Sequence, residues 1–457
     1  MGFLDFILFP VYVFIFYLVF NYRKKRIDDP LLQKYFLQGF WIKVASALAF
    51  AIFSCYIFSG DSTSLYYPEG ANIYHLILKD PSNIKWLFTA GKDFDTSLEA
   101  TNNYPGYFKN EGNYLIMRLV AVFSFLPLAK YLVITLVFSL FAYTGIWQLF
   151  KFFYEQYPKL HKKLAIAILY FPTLIFWSSG IMKDSVCIGM LGWMTYSIYN
   201  ILYKREHIIK NSLVAAIAIY TLVIVKPYIL ISYVPFFLLY LFLKNISLIK
   251  TKIIKYFVGL FVILLTIVGF IVISAQFKDQ LGAYSLEEIS ESVKVQQVNY
   301  VNMSEAAESS FSLGVQFDGS LGSMIRLAPA AIAATFYRPF LWESKKISTL
   351  FSSLESLAMM LFTLYVFFRV GPFNFITSFF KSPMVLFCFS FSIVFAFFIG
   401  ATTLNFGTLV RYKIPCLPFY IIALFLILDI YNKKKAAKKL KKLATLANKT
   451  LSSPRTP

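Results

Sequence analysis

Charge is scarce in this chain. Asp, Glu, Lys and Arg make up only 15% of its 457 residues, against 58% hydrophobic residues and a mean hydropathy of +0.64. Soluble domains are usually about a quarter charged, so there is too little polar surface to cover a soluble globule of this length. Cysteine is also rare. Cys55, Cys187, Cys388 and Cys416 lie in or beside apolar runs with no paired spacing. That excludes a disulfide framework and leaves small packing residues. The three histidines, His75, His161 and His207, are too far apart to share a ligand spacing, so no metal is predicted. The chain lacks a Walker A loop, a dinucleotide fingerprint, a zinc signature and a nucleophile elbow. ATP-driven transport is therefore unsupported, and no cofactor is called for.

What the chain does have is apolar runs. Segments near 3–20, 41–59, 131–150, 164–180, 185–203, 212–226, 228–243, 255–275, 352–368, 384–400 and 415–431 are long enough, or nearly so, to cross a bilayer core. The start, Met1-Gly2-Phe3-Leu4-Asp5-Phe6, has no basic n-region, so residues 3–20 read as a retained span. The net charge of +21 points to the membrane and not to nucleic acid. Arg23-Lys24-Lys25-Arg26, Lys162-Lys163, Lys204-Arg205 and the tail Lys433 to Lys442 sit between apolar runs, the pattern of cytoplasmic segments under the positive-inside rule. The tail is also placed to touch anionic lipid.

Parity then assigns sides. With Arg23–Arg26 inside, the N-terminus is outside and residues 60–130 and 276–351 form outer loops. Those loops carry Asp61, Glu69, Asp93, Asp95, Glu99, Glu111, Glu287, Glu288, Glu291, Glu305 and Glu308. One span, 131–150, joins the outer loop to the inner Lys151–Lys163, so the run from Tyr114 to Pro127 reads as an interfacial or re-entrant helix. The expected fold is all-α and polytopic, with about eleven transmembrane helices plus interfacial helices, N-terminus out and C-terminus in. Residues 1–432 form one transmembrane domain and 433–457 a basic cytoplasmic tail.

Ionisable groups at membrane depth cost several kcal/mol, so each marks a candidate site. Five constellations stand out on the expected outer side. Ser59-Gly60-Asp61-Ser62 with Tyr66-Tyr67 presents a carboxylate as span two emerges, suited to general-base work; an ordinary helix-end Asp is the plainer alternative. In Trp177-Ser178-Ser179-Gly180-Ile181-Met182-Lys183-Asp184, Lys183 could hold a phosphate and Asp184 could cap the next helix; a turn with a snorkelling lysine is the alternative. Lys226-Pro227-Tyr228 puts a lysine at a tight hairpin, which snorkelling alone would explain. Tyr337-Arg338-Pro339-Phe340 sets a guanidinium among aromatics, as phosphate ligand or as aromatic-belt anchor. Arg411-Tyr412-Lys413 faces outward against the charge rule, and phosphate binding is its natural use. The membrane-depth charges gather at the outer end, with Asp429 the main inner one.

At these residues the chain resembles bacterial surface-polysaccharide membrane proteins. Gly60-Asp61 with Tyr66 is similar to the first outer-loop acidic motif of GT-C-type glycosyltransferases and to the early Gly-Asp-x-x-Tyr pattern of EpsG-like polysaccharide polymerases. Phe171-Pro172 through Lys183-Asp184 resembles a hairpin in members of such clusters. Arg411-Tyr412-Lys413-Ile414-Pro415 resembles their late Arg-Tyr-x-x-Pro segment. The chain departs from the GT-C pattern in placing the acid after span two, with Ser62 following it. The resemblance implies transfer or polymerisation of sugars from a polyprenyl-phosphate-linked donor on the periplasmic face of the inner membrane. Asp61 would be the base. Lys183, Arg338 and Arg411 would be phosphate ligands, with Tyr66, Asp184, Lys226 and Lys413 also at the substrate. Membrane lipid and polysaccharide-assembly proteins are the partners it implies. A flippase for lipid-linked sugars and a non-catalytic assembly partner are the rivals.

Overall fold

Once the backbone is placed in hydrocarbon its polar groups must be satisfied within each segment, and helices do this. The computed structural model describes residues 1–101, 106–126, 128, 130–245, 310–315, 321–344 and 347–452, and among them there is no strand, only the isolated bridge Ser310–Asn405. The chain is an all-α polytopic membrane protein. Among the described residues, seven helices are long and apolar enough to cross a membrane. They are α1 (Phe3–Lys24), α2 (Pro30–Ile52, continued by a π-turn to Ile57), α5 (Tyr131–Gln156), α9 (Ile208–Val225), α10 (Pro227–Asn245), α12 (Ile347–Val370) and α14 (Pro383–Thr402). The short α13 (Pro372–Lys381) links the last two. An eighth candidate span is bent by 63° between the short α15 (Phe406–Tyr412) and α16 (Leu417–Ser452).

These match eight of the eleven expected spans. The expected span 164–180 is not one helix: α6 (His161–Ile168) and α7 (Pro172–Trp177) are separate. Pro172 causes the break. It has no N–H to donate and drives Phe171 into an extended conformation (φ −73°, ψ 118°). The expected span 185–203 is α8 (Lys183–Tyr199), extended by a π-turn to Lys204 and buried along most of its length. The run 255–275 and the acidic residues Glu287 to Glu308 lie outside the described residues.

Specific caps fix how the helices pair. The buried Asp5 near the start of α1 accepts the backbone N–H of Leu132 at 3.0 Å, so α1 and α5 begin at the same end. Asp29 caps α2 by accepting Leu31 N–H at 2.8 Å and takes the Tyr154 hydroxyl at 2.5 Å. Tyr143 donates to Phe36 O (2.6 Å) and Ser139 to Lys43 O (2.9 Å), so α2 runs antiparallel to α5. α8 runs parallel to α5 at very close range. A Cβ on Gly145 would stand 1.8 Å from the carbonyl oxygen of Gly189, and one on Gly192 would stand 2.0 Å from that of Gly145. Small residues are how helices approach in a membrane, where packing replaces the hydrophobic drive.

The bundle therefore has two chemically different ends. One carries the basic connectors around Arg23–Arg26 and Lys159–Lys163. The other carries Asp61, α3 (Tyr67–Lys79) and α4 (Glu111–Phe123). At 13 residues α4 is too short to cross and lies over the second end. α11 (Leu321–Tyr337) packs antiparallel to α14, with Thr335 donating to Ala396 O at 2.7 Å and Ala331 against Gly400. The tail is no separate piece of structure: α16 continues unbroken from the span through the exposed lysines to Ser452.

Candidate functional site

Local chemistry at the Asp61 end explains where each side chain stands. α2 unwinds into the π-turn Phe53–Ile57, and a second π-turn, Ser62–Tyr66, follows Asp61. Such turns widen the helix and recur at functional sites. Asp61 sits between them, its side chain 41% exposed. Its neighbours are anchored: Ser62 Oγ pairs with the Tyr131 hydroxyl at 2.9 Å, and the buried Tyr66 donates to Asn113 Oδ1 at 3.0 Å. Tyr66 thereby ties the turn to α4.

Asp61 and Arg411, 350 residues apart in sequence, meet at 3.3 Å. The guanidinium Nε of Arg411 also faces Asp184 Oδ2 at 3.6 Å, an ion pair beyond hydrogen-bond distance. Both atoms are buried, and neither has a hydrogen-bond partner among the described residues. Lys226 fills the other side of Asp184, donating to Oδ1 at 2.6 Å, and its ammonium lies 4.2 Å from the Tyr412 ring centre. Asp184 is thus clamped between two cations with its side chain 2% exposed. It does not cap α8 as expected. Met182 is the N-cap residue, and the carboxylate, two residues further in, is drawn to Lys226 and Arg411 instead.

Lys183 stands apart. Its ammonium donates to Asn110 Oδ1 at 3.1 Å, and among the described residues no carboxylate lies within ion-pair distance of it. Two carboxylates, Asp61 and Asp184, therefore face three cations, Lys183, Lys226 and Arg411. One positive charge is left over, and Lys183 is the residue carrying it.

Arg338 and Lys413 lie close by but are differently engaged. Arg338 forks onto Glu343, donates to Ser312 O at 2.8 Å, and lies 4.3 Å from the Phe311 ring centre. The buried Lys413 bonds Ser356 Oγ at 3.3 Å and Arg338 O at 3.4 Å. Together they hold the 338–344 segment against α12 and α15. Of the eight expected residues, Asp61, Asp184, Lys226 and Arg411 form one contiguous ion cluster. Lys183 and Tyr66 flank it in sequence and are linked to each other through Asn110 and Asn113 of the α4 start. Arg338 and Lys413 form a neighbouring structural network.

Arg411 also lines a cavity of about 130 Å³ beside the cluster, walled by Phe53, Phe58, Trp177 and Phe406 with Ser352 and Thr408. The cavity lies between the end of α2 and the start of α12. The flanking Tyr56, Ile57, Phe58, Phe351 and Leu354 are all exposed on the bundle surface. Phe58, which lines the cavity, is part of that exposed surface.

One buried and one half-buried charge escaped the sequence reading. Lys43, at the middle of α2 and 3% exposed, donates to Ser178 O (2.7 Å), Ser178 Oγ (2.9 Å) and Ser179 Oγ (2.6 Å). Both hydroxyls spend their own protons on the α7 carbonyls of Leu174 and Ile175. These contacts therefore need lysine N–H donors, and the Ile175 carbonyl is a fourth oxygen on the same nitrogen at 3.4 Å. Glu355 of α12 accepts Thr173 N–H at 2.8 Å. A cation at the C-terminal end of α7 and an anion at its N-terminal end oppose its dipole. This holds Trp177 and the following turn to Lys183 in place. The expectation that membrane-depth charge gathers at the outer end is corrected accordingly: Lys43 lies deep. A lysine inside the apolar run 41–59 was the available signal. Asp429, the expected inner charge, pairs with Lys433 at 2.8 Å near the basic end.

No family model, no curated protein and no solved structure matches this chain.

Proposed function

We propose that the protein is a membrane-embedded glycosyltransferase. It takes its sugar from a polyprenyl-phosphate-linked donor at the outer face of the inner membrane. The observation that carries this reading is the Asp61–Arg411–Asp184–Lys226 cluster, with the surplus cation Lys183, beside an aromatic cavity that shares Arg411.

The chemistry follows from the charges. An acceptor hydroxyl needs a base, and the leaving group is a lipid phosphate that gains negative charge as the glycosidic C–O bond breaks. Asp61 is the accessible carboxylate and takes the hydroxyl proton. The acceptor oxygen forms the new bond to the anomeric carbon, and the lipid phosphate departs with the electron pair. Arg411 and Lys183 stabilise it there. In the resting site Arg411 is shared between Asp61 and Asp184. A donor phosphate competes for the guanidinium and frees Asp61 to act as base. Asp184 stays paired with Lys226 and orients Arg411 without touching substrate. Repeated transfer to a growing chain would make the same site a polymerase.

A flippase would need a polar path through the bundle. Lys43 is the deep polar group that favours that reading, but its side chain is engaged by Ser178, Ser179 and Ile175 and is 3% exposed, which supports a structural role for it.

The test is glycan analysis of cells expressing Asp61→Asn at matched membrane levels. Loss of polymer with a lipid-linked precursor accumulating on the outer leaflet is the expected result. Accumulation on the inner leaflet would overturn the transferase reading in favour of a flippase. An unchanged glycan would remove Asp61 from the site.

A further inference from the structure

The end of the bundle opposite the charge cluster carries two shallow grooves that the transferase reading does not use. One, of about 530 Å³, lies between α2 and α6 and is lined by Lys34, Gln38, Trp41, His161, Lys162 and Tyr170. The other, of about 360 Å³, lies on the adjoining face of α2. It shares Lys34, Gln38 and Trp41 and adds Lys24. The two are therefore continuous along one side of α2.

Their chemistry is one-sided. Every ionisable group lining them, phenols aside, is basic or histidine: Lys24, Lys34, Lys162 and His161. No carboxylate lines either groove, and among the described residues none of the three lysines is in an ion pair. The polar rim is preorganised. The buried Tyr35 hydroxyl is bonded to His161 Nδ1 at 2.7 Å, and Tyr170 donates to Gln38 Oε1 at 2.8 Å. That leaves the Gln38 amide nitrogen as an available donor on the groove face.

Depth supplies the second half of the argument. Lys34, Gln38 and Trp41 fall on one stripe of α2 at helical spacing, so Trp41 lies about 10 Å deeper along the axis than Lys34. Trp41 is 47% exposed, and Leu37 and Ile42 line the same grooves beside it. Cations and amide at the rim with an apolar, ring-bearing wall below form the profile of a lipid, head and tail. A soluble anion would use only the rim.

We propose that this double groove binds an anionic phospholipid of the adjacent leaflet. Its phosphate sits among Lys34, Lys162 and Lys24, and its acyl chains lie along Leu37, Trp41 and Ile42. The site is independent of the transferase reading and would stand if that reading fell.

The test uses the purified full-length chain reconstituted in nanodiscs of phosphatidylcholine with one-fifth phosphatidylglycerol, followed by native mass spectrometry of retained lipid. Wild type is expected to retain phosphatidylglycerol over phosphatidylcholine. Each lysine near the surface contributes enough that its removal weakens retention about fivefold, and Lys34→Ala/Lys162→Ala about 25-fold. Lys34→Arg/Lys162→Arg should keep it. The control Lys25→Ala/Lys159→Ala removes the same charge from exposed positions outside the grooves. Loss in this control equal to that in the groove variant would overturn the proposal in favour of diffuse surface charge. Competition by soluble glycerol phosphate as effective as by the lipid would overturn the lipid assignment, and undiminished retention in the double alanine variant would overturn the site.

Discussion

Replacing Asp184 by Asn tests the physical basis of the cluster. Its carboxylate lies 2.6 Å from the Lys226 ammonium and 3.6 Å from the Arg411 guanidinium. At an effective dielectric of about 20 these attractions are worth roughly 6 and 5 kcal/mol before the cost of desolvation. Burial cancels much of that, and the net loss on breaking a buried pair is about 3–5 kcal/mol, because the cations are left uncompensated. Asp184→Asn keeps the shape and removes the charge, so Lys226 and Arg411 then repel across a dry gap. The loss is a large part of the roughly 5–15 kcal/mol that holds a typical protein folded. Adding Lys226→Met to Asp184→Asn removes one of the stranded charges, and more than half of the loss should return. The assay is equilibrium unfolding in detergent across the four-member cycle. Asp184→Asn as stable as wild type, or a double variant no better than the single, would refute the reasoning.

Lys43→Met should cost about 1–3 kcal/mol through the unsatisfied Ser178 carbonyl. It should also loosen the turn after α7, read as faster thiol labelling of a Ser179→Cys reporter. Gly145→Ala should lower stability by about 1–3 kcal/mol or prevent folding, because the new methyl would overlap the Gly189 carbonyl. Gly60→Ala meets only the edge of Phe58 and should leave the melting temperature nearly unchanged. Asp29 predicts a pH dependence. The Tyr154 hydroxyl, foremost, with the α2 backbone N–H groups, holds its carboxyl below the usual range. Its stabilisation is therefore present above the unfolded value of about 3.9 and lost as pH falls through the lower folded value. Asp29→Asn keeps the cap but weakens the Tyr154 bond. The variant should be less stable than wild type at neutral pH, and the gap should close below about pH 4, measured by chemical unfolding.

Composition and run length decide the class by themselves, because hydrocarbon rejects charge and unpaired backbone wherever they occur. Basic clusters between the runs sort the bundle into two ends for the same reason. The special character of Asp61, Lys183, Asp184, Lys226 and Arg411 was also legible, since each is a polar residue at the edge of an apolar run. Their partnerships were not. Asp61 meets Arg411 only because α15 bends back by 63° over the end of α2, and Asp184 turns from a cap into a bridge only because α9 ends beside it. The break at Pro172 could be seen in sequence, but its consequence could not. It makes a six-residue helix whose two ends are met by the charges of Lys43 and Glu355. Arg338 looked like a free phosphate ligand, yet packing gives its guanidinium to Glu343. Sequence reports the cost of burying each group, which depends on that group alone. Which opposite charge compensates it depends on helices hundreds of residues apart coming together, and only the tertiary structure decides that.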